Sequence, residues 1–71
     1  MKHILLRKIN SLNIDVHITD LLEKNNVKYI YELCSLNRKS LKEYGLTQEC
    51  IKQIIVKLQL LGLDLNKKYK I

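Results

Sequence analysis

Residues 45–63 constrain the fold more than any other part of the chain, because they carry a helix pattern with its own start and end signals. Thr47 is placed to cap the first turn with its hydroxyl, and Glu49 puts a negative charge near the positive end of the helix dipole. Gly62 predicts a left-handed C-terminal cap, after which Leu63 packs back on the helix. The apolar residues recur at helical spacing and define one face: Ile51, Ile54, Ile55, Leu58 and Leu61.

The remaining composition favours more helices joined by short turns. The 71 residues include no Pro and only two Gly, and a chain of this length makes one small domain. Because there is no Trp or Phe, the core must be built from Ile, Leu and Val, with Tyr29 and Tyr44 packing at its edges. The sequence therefore predicts an all-α fold, a compact single domain of four to five short helices.

The chain divides into an arm, a helical domain and a tail. Residues 1–11 are expected to form an extended arm that lays its apolar side chains over the core, and residues 12–66 form the domain. Three helices before the long one are predicted at 16–25, 29–35 and 38–43, the first capped by Asp15 with Ile14 as a hydrophobic staple and the third capped by Asn37. Residues 67–71 are expected to be a mobile basic tail.

Charge and cysteine usage suggest partners and a compartment. Thirteen Lys and Arg stand against seven Asp and Glu, a balance that suits an acidic partner such as nucleic acid but equally a solvated, Lys-rich surface. Cys34 and Cys50 have no CxxC pairing and fall on apolar faces, which favours buried free thiols over a metal site or a disulfide. Free thiols indicate a reducing compartment, the cytoplasm or a plastid stroma.

The sequence offers no pattern for catalysis. We find no Ser or Cys with a His in plausible reach, no phosphate-binding loop and no supported carboxylate pair. No run is long enough to span a bilayer. We therefore expect a non-enzyme without cofactor, metal, membrane or small-molecule substrate.

Taken in order, several segments resemble one family. Gly45 and Leu46 form a tight turn ahead of a capped helix, which is the shape of a helix-hairpin-helix. Residues 4–7 (Ile-Leu-Leu-Arg), 27–33 (Val-Lys-Tyr-Ile-Tyr-Glu-Leu) and 58–65 (Leu-Gln-Leu-Leu-Gly-Leu-Asp-Leu) resemble, with nearly the right spacing, the C-terminal domain of the bacterial RNA polymerase alpha subunit. The resemblance runs from residue 4 to about residue 66 and requires one residue to be dropped near Tyr44. It implies a helix-hairpin-helix-like fold.

The resemblance also implies a function in transcription. Members of that family bind the minor groove of AT-rich promoter DNA and contact transcription regulators and sigma factor. Hairpin amides and a helix N-terminus meet phosphates, while an Arg of the first helix enters the narrow groove. By position, the family's contact face falls on His17, Asp20, Thr47, Glu49, Cys50 and Gln53.

At these positions the chain departs from the family pattern. The groove-inserting Arg is replaced by His17, and the Asn that bonds DNA by Asp20. In the hairpin, the Gly becomes Thr47, a Lys becomes Glu49 and a Ser becomes Cys50. Each new negative charge costs roughly 1 kcal/mol near a phosphate, and the lost Arg about 1–3 kcal/mol. Weak or absent binding of AT-rich DNA through this face is therefore expected.

Three functions remain open. The first is a transcription module that acts through RNA polymerase, regulators or, weakly, DNA. The second is a protein-interaction module that kept the fold and lost DNA binding, with Asp20 and Glu49 beside His17 as a partner face. The third is a nucleic-acid binder that uses a shifted basic surface of Arg38, Lys39, Lys42 and Lys52, with Lys57 nearby. For each surface, the plain alternative is a solvated face.

Overall fold

A computed structural model describes residues 2–69, with side chains described from residue 4 onward. Its elements are α1 (Lys2–Leu5), a 3₁₀ helix (Ile9–Leu12), α2 (Val16–Lys24), α3 (Ile30–Cys34), α4 (Arg38–Glu43) and α5 (Gln48–Leu60). No strand forms in this part of the chain, where the one antiparallel bridge joins Lys8 to Tyr29. The predicted all-α class is confirmed.

Three of the helices end in the same way, and the sequence signals their ends. Asn26, Gly45 and Gly62 adopt positive φ after α2, α4 and α5. At each end, the next residue is apolar and buried, and its amide bonds back to the carbonyl five residues earlier: Val27 to Leu22, Leu46 to Leu41, and Leu63 to Leu58. This bonding satisfies carbonyls that the helix end would leave free, and the apolar residue anchors the turn to the core.

The helix starts follow the sequence only in part. Thr47 Oγ1 accepts from the Cys50 amide at 3.3 Å, and Asn37 Oδ1 accepts from the Ser40 amide at 2.9 Å, so both predicted caps are confirmed. Asp15 occupies the N-cap position of α2 but makes no side-chain capping bond, so that prediction is wrong. The start of α3 is stabilised by a residue of the helix itself. Glu32 Oε1 accepts hydrogen bonds from the amides of Lys28 and Tyr29 at 3.0 Å each.

Both ends of the chain are tied to α3. The segment expected to be an extended arm is helical, because α1 and the 3₁₀ helix occupy most of it. It nevertheless covers the core, since Leu5 and Ile9 are buried, and the Ile30 amide bonds to the Arg7 carbonyl at 2.9 Å. This bond and its neighbours hold the segment against the start of α3.

The expected basic tail is anchored where it begins. The Lys67 amide bonds to the Cys34 carbonyl at 2.9 Å, and the Asp64 amide donates to the Tyr69 hydroxyl at 3.1 Å. Residues 70 and 71, like residue 1, lie outside the described residues. The hydrogen bonds to residues 67 and 69 place the start of the tail on the folded body.

The core is aliphatic, as the composition requires. Ile54 and Leu58 of α5 are fully buried at its centre, whereas Ile55 and Leu61 are only half-buried, so the apolar face of α5 is narrower than its sequence pattern. The Cα radius of gyration of 10.7 Å is close to the roughly 11 Å expected for a folded chain of this length. The buried apolar residues are Leu5, Ile9, Leu12, Ile18, Leu22, Val27, Ile30, Leu33, Cys34, Leu41, Leu46, Ile51, Ile54, Leu58, Leu63 and Leu65.

Candidate interaction surfaces

The first turns of α2 and α5 meet and form one surface. Cys50 Sγ lies 3.8 Å from His17 Nε2, and Thr47 Oγ1 donates to the same sulfur at 3.2 Å. Gln53 Oε1 accepts from the Asp15 amide at 3.4 Å, which joins α5 to the start of α2. The structure therefore brings together four of the six residues that the sequence proposed for a family-type face. We call the six residues the α2–α5 surface: His17, Asp20, Thr47, Glu49, Cys50 and Gln53.

The two acidic residues lie at the margins of this surface. Asp20 is exposed one turn after His17, and residues three apart share a face of a helix. Glu49 is exposed in the first turn of α5 and lines a shallow depression with Lys52 and Gln53. The negative charges thus flank the His17–Cys50 contact.

The contact between Cys50 and His17 corrects a sequence-based expectation. The sequence showed no thiol with a histidine in reach, because the two residues are 33 positions apart and only the packing of α2 on α5 joins them. Nucleophilic cysteines usually have a base that a third group orients. Among the hydrogen bonds of residues 4–69, none reaches the other ring nitrogen of His17. The contact alone therefore provides only part of a nucleophilic site.

The N-terminus of α5 is unfavourable for an external anion. The Thr47 hydroxyl accepts from the Cys50 amide, one of the amides that the first turn leaves without a partner inside the helix. The amides of Gln48 and Glu49 come first in the helix, next to the Glu49 carboxylate. That carboxylate already offsets the positive end of the helix dipole and repels an incoming phosphate.

A second surface lies on another side of α5, between α5 and α4. It is a groove of about 420 Å³ that no acidic residue lines. Arg38 and Lys42 border it from α4, and Lys52 borders it from α5, so three of the four residues proposed as a basic surface converge here. We call it the α4–α5 groove, and its lining residues are Arg38, Lys42, Gln48, Ile51, Lys52, Ile55, Val56 and Gln59.

The other predicted cations lie apart from this groove. Lys39 does not line the groove but lies with Arg38 and Asp64 in an adjoining depression. Lys57 lines depressions on other sides of α5 and is absent from the groove. The basic surface proposed from sequence is therefore split, and its concentrated part is Arg38, Lys42 and Lys52.

Two tyrosines form a pair that the sequence analysis missed. The rings of Tyr29 and Tyr31 stack with centroids 6.0 Å apart and planes 12° from parallel. Residues two apart do not face each other on a helix, but Tyr29 stands just before α3 in extended backbone. The sequence feature that indicates this pair is the start of α3, which falls between residues 29 and 31. Each of the two rings therefore stacks on the other. Tyr31 also borders a depression with Tyr69 and Lys68.

The two cysteines have different environments. Cys34 is fully buried, and burial, reinforced by the negative charge of Asp64, raises the pKa of its thiol from 9.0 to about 11. Such a thiol stays protonated and unreactive at neutral pH. Cys50 is only half-buried, so the prediction of two buried thiols is correct for Cys34 alone.

Two further properties bear on the class of protein. Within residues 2–69, no helix is both long and apolar enough to cross a bilayer. In the same part of the chain, no three His, Cys, Asp or Glu side chains come close enough to hold a metal ion.

No known protein-family model matches the chain, and no curated protein sequence matches it.

Proposed function

We propose that this chain is a non-catalytic transcription module, related to the C-terminal domain of the RNA polymerase alpha subunit, that binds a protein partner through the α2–α5 surface. The partner is RNA polymerase itself or a transcription regulator. The observation that carries the proposal is the meeting of the first turns of α2 and α5, with Cys50 3.8 Å from His17. These are the positions at which the resembled family contacts its targets.

The order of elements supports the relation to that family. A short helix, α4, leads through a turn with positive φ at Gly45 into the long helix α5, an order that resembles a helix-hairpin-helix. Leu46 is buried and anchors this turn, so the start of α5 is held in place for contact with a partner. The resemblance in sequence and this arrangement point in the same direction.

The chemistry of the surface favours protein over DNA. A phosphate approaching α5 would meet the Glu49 carboxylate and an amide of Cys50 already bonded to Thr47. On α2, the exposed Asp20 adds a second negative charge near the same site. The two repulsions cost roughly 1 kcal/mol each, and loss of the groove-inserting Arg costs about 1–3 kcal/mol. Binding of AT-rich DNA through this surface is consequently weak or absent.

The experiment restores the residues of the resembled family and looks for a gain of DNA binding. In the variant His17→Arg with Asp20→Asn and Glu49→Lys, affinity for an AT-rich 20-base-pair duplex should rise on the order of 100-fold. The matched control, Glu23→Lys with Glu43→Lys, adds the same four charges at exposed positions outside the surface and should gain far less. Amide-shift titrations at about 100 mM salt would locate the contact.

Two outcomes would overturn this proposal. If the unaltered chain already binds the duplex tightly, with salt-sensitive shifts on α2 and residues 45–50, the surface is a DNA-binding face. If immobilised chain retains neither RNA polymerase subunits nor a transcription regulator, or retains them equally well with Asp20→Arg, the α2–α5 surface is not the partner face. Retention that Asp20→Arg abolishes and Glu23→Arg preserves is the expected result.

A further inference from the structure

We propose that the α4–α5 groove binds an acidic amphipathic peptide segment of a partner protein, in which Asp or Glu residues flank large apolar side chains. This inference concerns a surface separate from the α2–α5 surface and does not depend on the function proposed for that surface. It follows from the charge, the floor and the length of the groove.

The charge of the groove favours a negative occupant. Arg38 and Lys42 are four residues apart on α4 and therefore lie side by side, an arrangement of like charges that is unfavourable on a helix. Lys52 adds a third positive charge from α5, and no acidic residue lines the groove itself. The nearest acidic side chains lie in adjoining depressions, Asp64 with Arg38 and Glu49 with Lys52. Carboxylates placed between the two helices would relieve this repulsion and would steer the partner toward the groove.

The floor of the groove selects among negative occupants. Ile55 is half-buried and Val56 is 48% exposed, so these two side chains form an apolar floor that water reaches, whereas the neighbouring Ile51 is already buried. A phosphate backbone would leave this apolar floor uncovered, and no aromatic residue lines the groove to stack with bases. An apolar side chain of a peptide would instead remove the floor from water.

The length of the groove fits a short helix. Gln48 and Gln59 both line it, and they are eleven positions apart on α5, which is about 16 Å at the rise of an α-helix. A partner helix of about three turns spans that distance, with apolar residues toward α5 and acidic residues toward the cations on both sides. This is the recognition mode in which an amphipathic helix enters a groove between two helices.

The test uses the full chain and a fluorescein-labelled 15-residue peptide of Glu, Leu and Ala, with Leu at helical spacing on one face and Glu on its borders. We expect binding at about 50 mM salt that weakens at 300 mM, with amide shifts along α4 and residues 48–59. Lys52→Glu and Val56→Glu should each weaken binding by about 10-fold or more. Arg38→Glu provides an independent charge reversal on the opposite helix.

The controls match each change outside the groove. Lys24→Glu makes the same charge reversal at an exposed site of α2, and Leu6→Glu replaces an apolar side chain that is 50% exposed, close to the 48% of Val56. Both should leave the affinity within about twofold. Amide spectra of all variants establish that each one is folded before the affinities are compared.

Three results would overturn the inference. A peptide with Ala in place of Leu that binds equally well would show that the apolar floor takes no part. An AT-rich duplex or an oligonucleotide that displaces the peptide and shifts Arg38, Lys42 and Lys52 more strongly would assign the groove to nucleic acid. Shifts confined to other surfaces, or an absence of binding, would remove the groove as a docking site.

Discussion

The two surfaces that share α5 differ in charge and in how far their polar groups are already satisfied. On the α2–α5 surface, Thr47 caps the helix, Cys50 contacts His17, and acidic residues stand at the margins. In the α4–α5 groove, three cations surround an apolar floor, and no acidic residue lines it. On one side, α5 thus presents a partly acidic surface whose side chains bond to one another. On the other side, it presents a basic groove. A net charge of +6 describes neither of them.

Both surfaces depend on the burial of α5, and a core substitution should therefore have the largest effect. Ile54 is fully buried between them, so Ile54→Ala should lower the free energy of unfolding by roughly 2–5 kcal/mol, and Ile54→Val by about 0.5–1.5 kcal/mol. Val56→Ala, at a half-exposed position, should change it by only about 0.5 kcal/mol. Urea denaturation measures all three, and similar losses at residues 54 and 56 would contradict the assigned burial.

The buried thiol of Cys34 should make the stability of the core depend on pH. Because the pKa of Cys34 is about 11 in the folded protein, against 9.0 for an exposed thiol, the unfolded chain ionises first as the pH rises. The contribution of the protonated Cys34 thiol to the free energy of unfolding is therefore fully present below pH 9. The free energy of unfolding then falls by about 2–3 kcal/mol between pH 9 and pH 11. Urea denaturation across this range should show a smaller loss for Cys34→Ala than for the unaltered chain.

The control for this prediction is Cys50, whose thiol lies in the surface. Cys50→Ala should leave the high-pH loss in place, because it does not alter the buried Cys34 thiol. Equal losses in the unaltered chain and in Cys34→Ala would attribute the pH dependence to Tyr and Lys titration instead.

The cap of α5 should give the smallest effect and the finest test of the α2–α5 surface. Thr47→Ala removes the acceptor of the Cys50 amide and should cost about 1 kcal/mol, whereas Thr47→Gly should cost only a few tenths of a kcal/mol. Asn37→Ala, which removes the matching cap of α4, should cost about as much as Thr47→Ala. Thermal unfolding compares the three variants. Equal losses for Ala and Gly at residue 47 would show that the hydroxyl contributes little.

Sequence reasoning works best here where the decisive contacts are local. The ends of α2, α4 and α5 follow from Asn26, Gly45 and Gly62, because left-handed backbone is accessible to Asn and Gly and the apolar residue after each one is drawn into the core. The bounds of α4 are those predicted, and Thr47 caps α5 as expected. Each of these features depends on residues within about five positions of each other.

Sequence reasoning fails where the decisive contact joins residues that are far apart in the chain. Residues 1–11 lack a clear helix signal in the sequence. The helical form of residues 2–5 and 9–12 is stabilised by burial of Leu5 and Ile9 against the rest of the chain. The Asp15 amide finds an acceptor in Gln53 of α5, a partner that no local pattern reveals. For the candidate sites, the sequence proposed six residues of the α2–α5 surface, of which four come together in the structure, but it missed the approach of Cys50 to His17.

Residues 45–63 show the same division within a single helix. By itself, the sequence determined that these residues form a helix, where it begins and ends, and which face is apolar, because capping and periodicity are properties of neighbouring residues. Only the tertiary structure decided that the rest of the helix contributes to two different surfaces. Packing against α2 brought His17 to Cys50, and packing against α4 placed Arg38 and Lys42 opposite Lys52. Contacts between helices arise from the shape of the whole core, which no short stretch of the chain encodes.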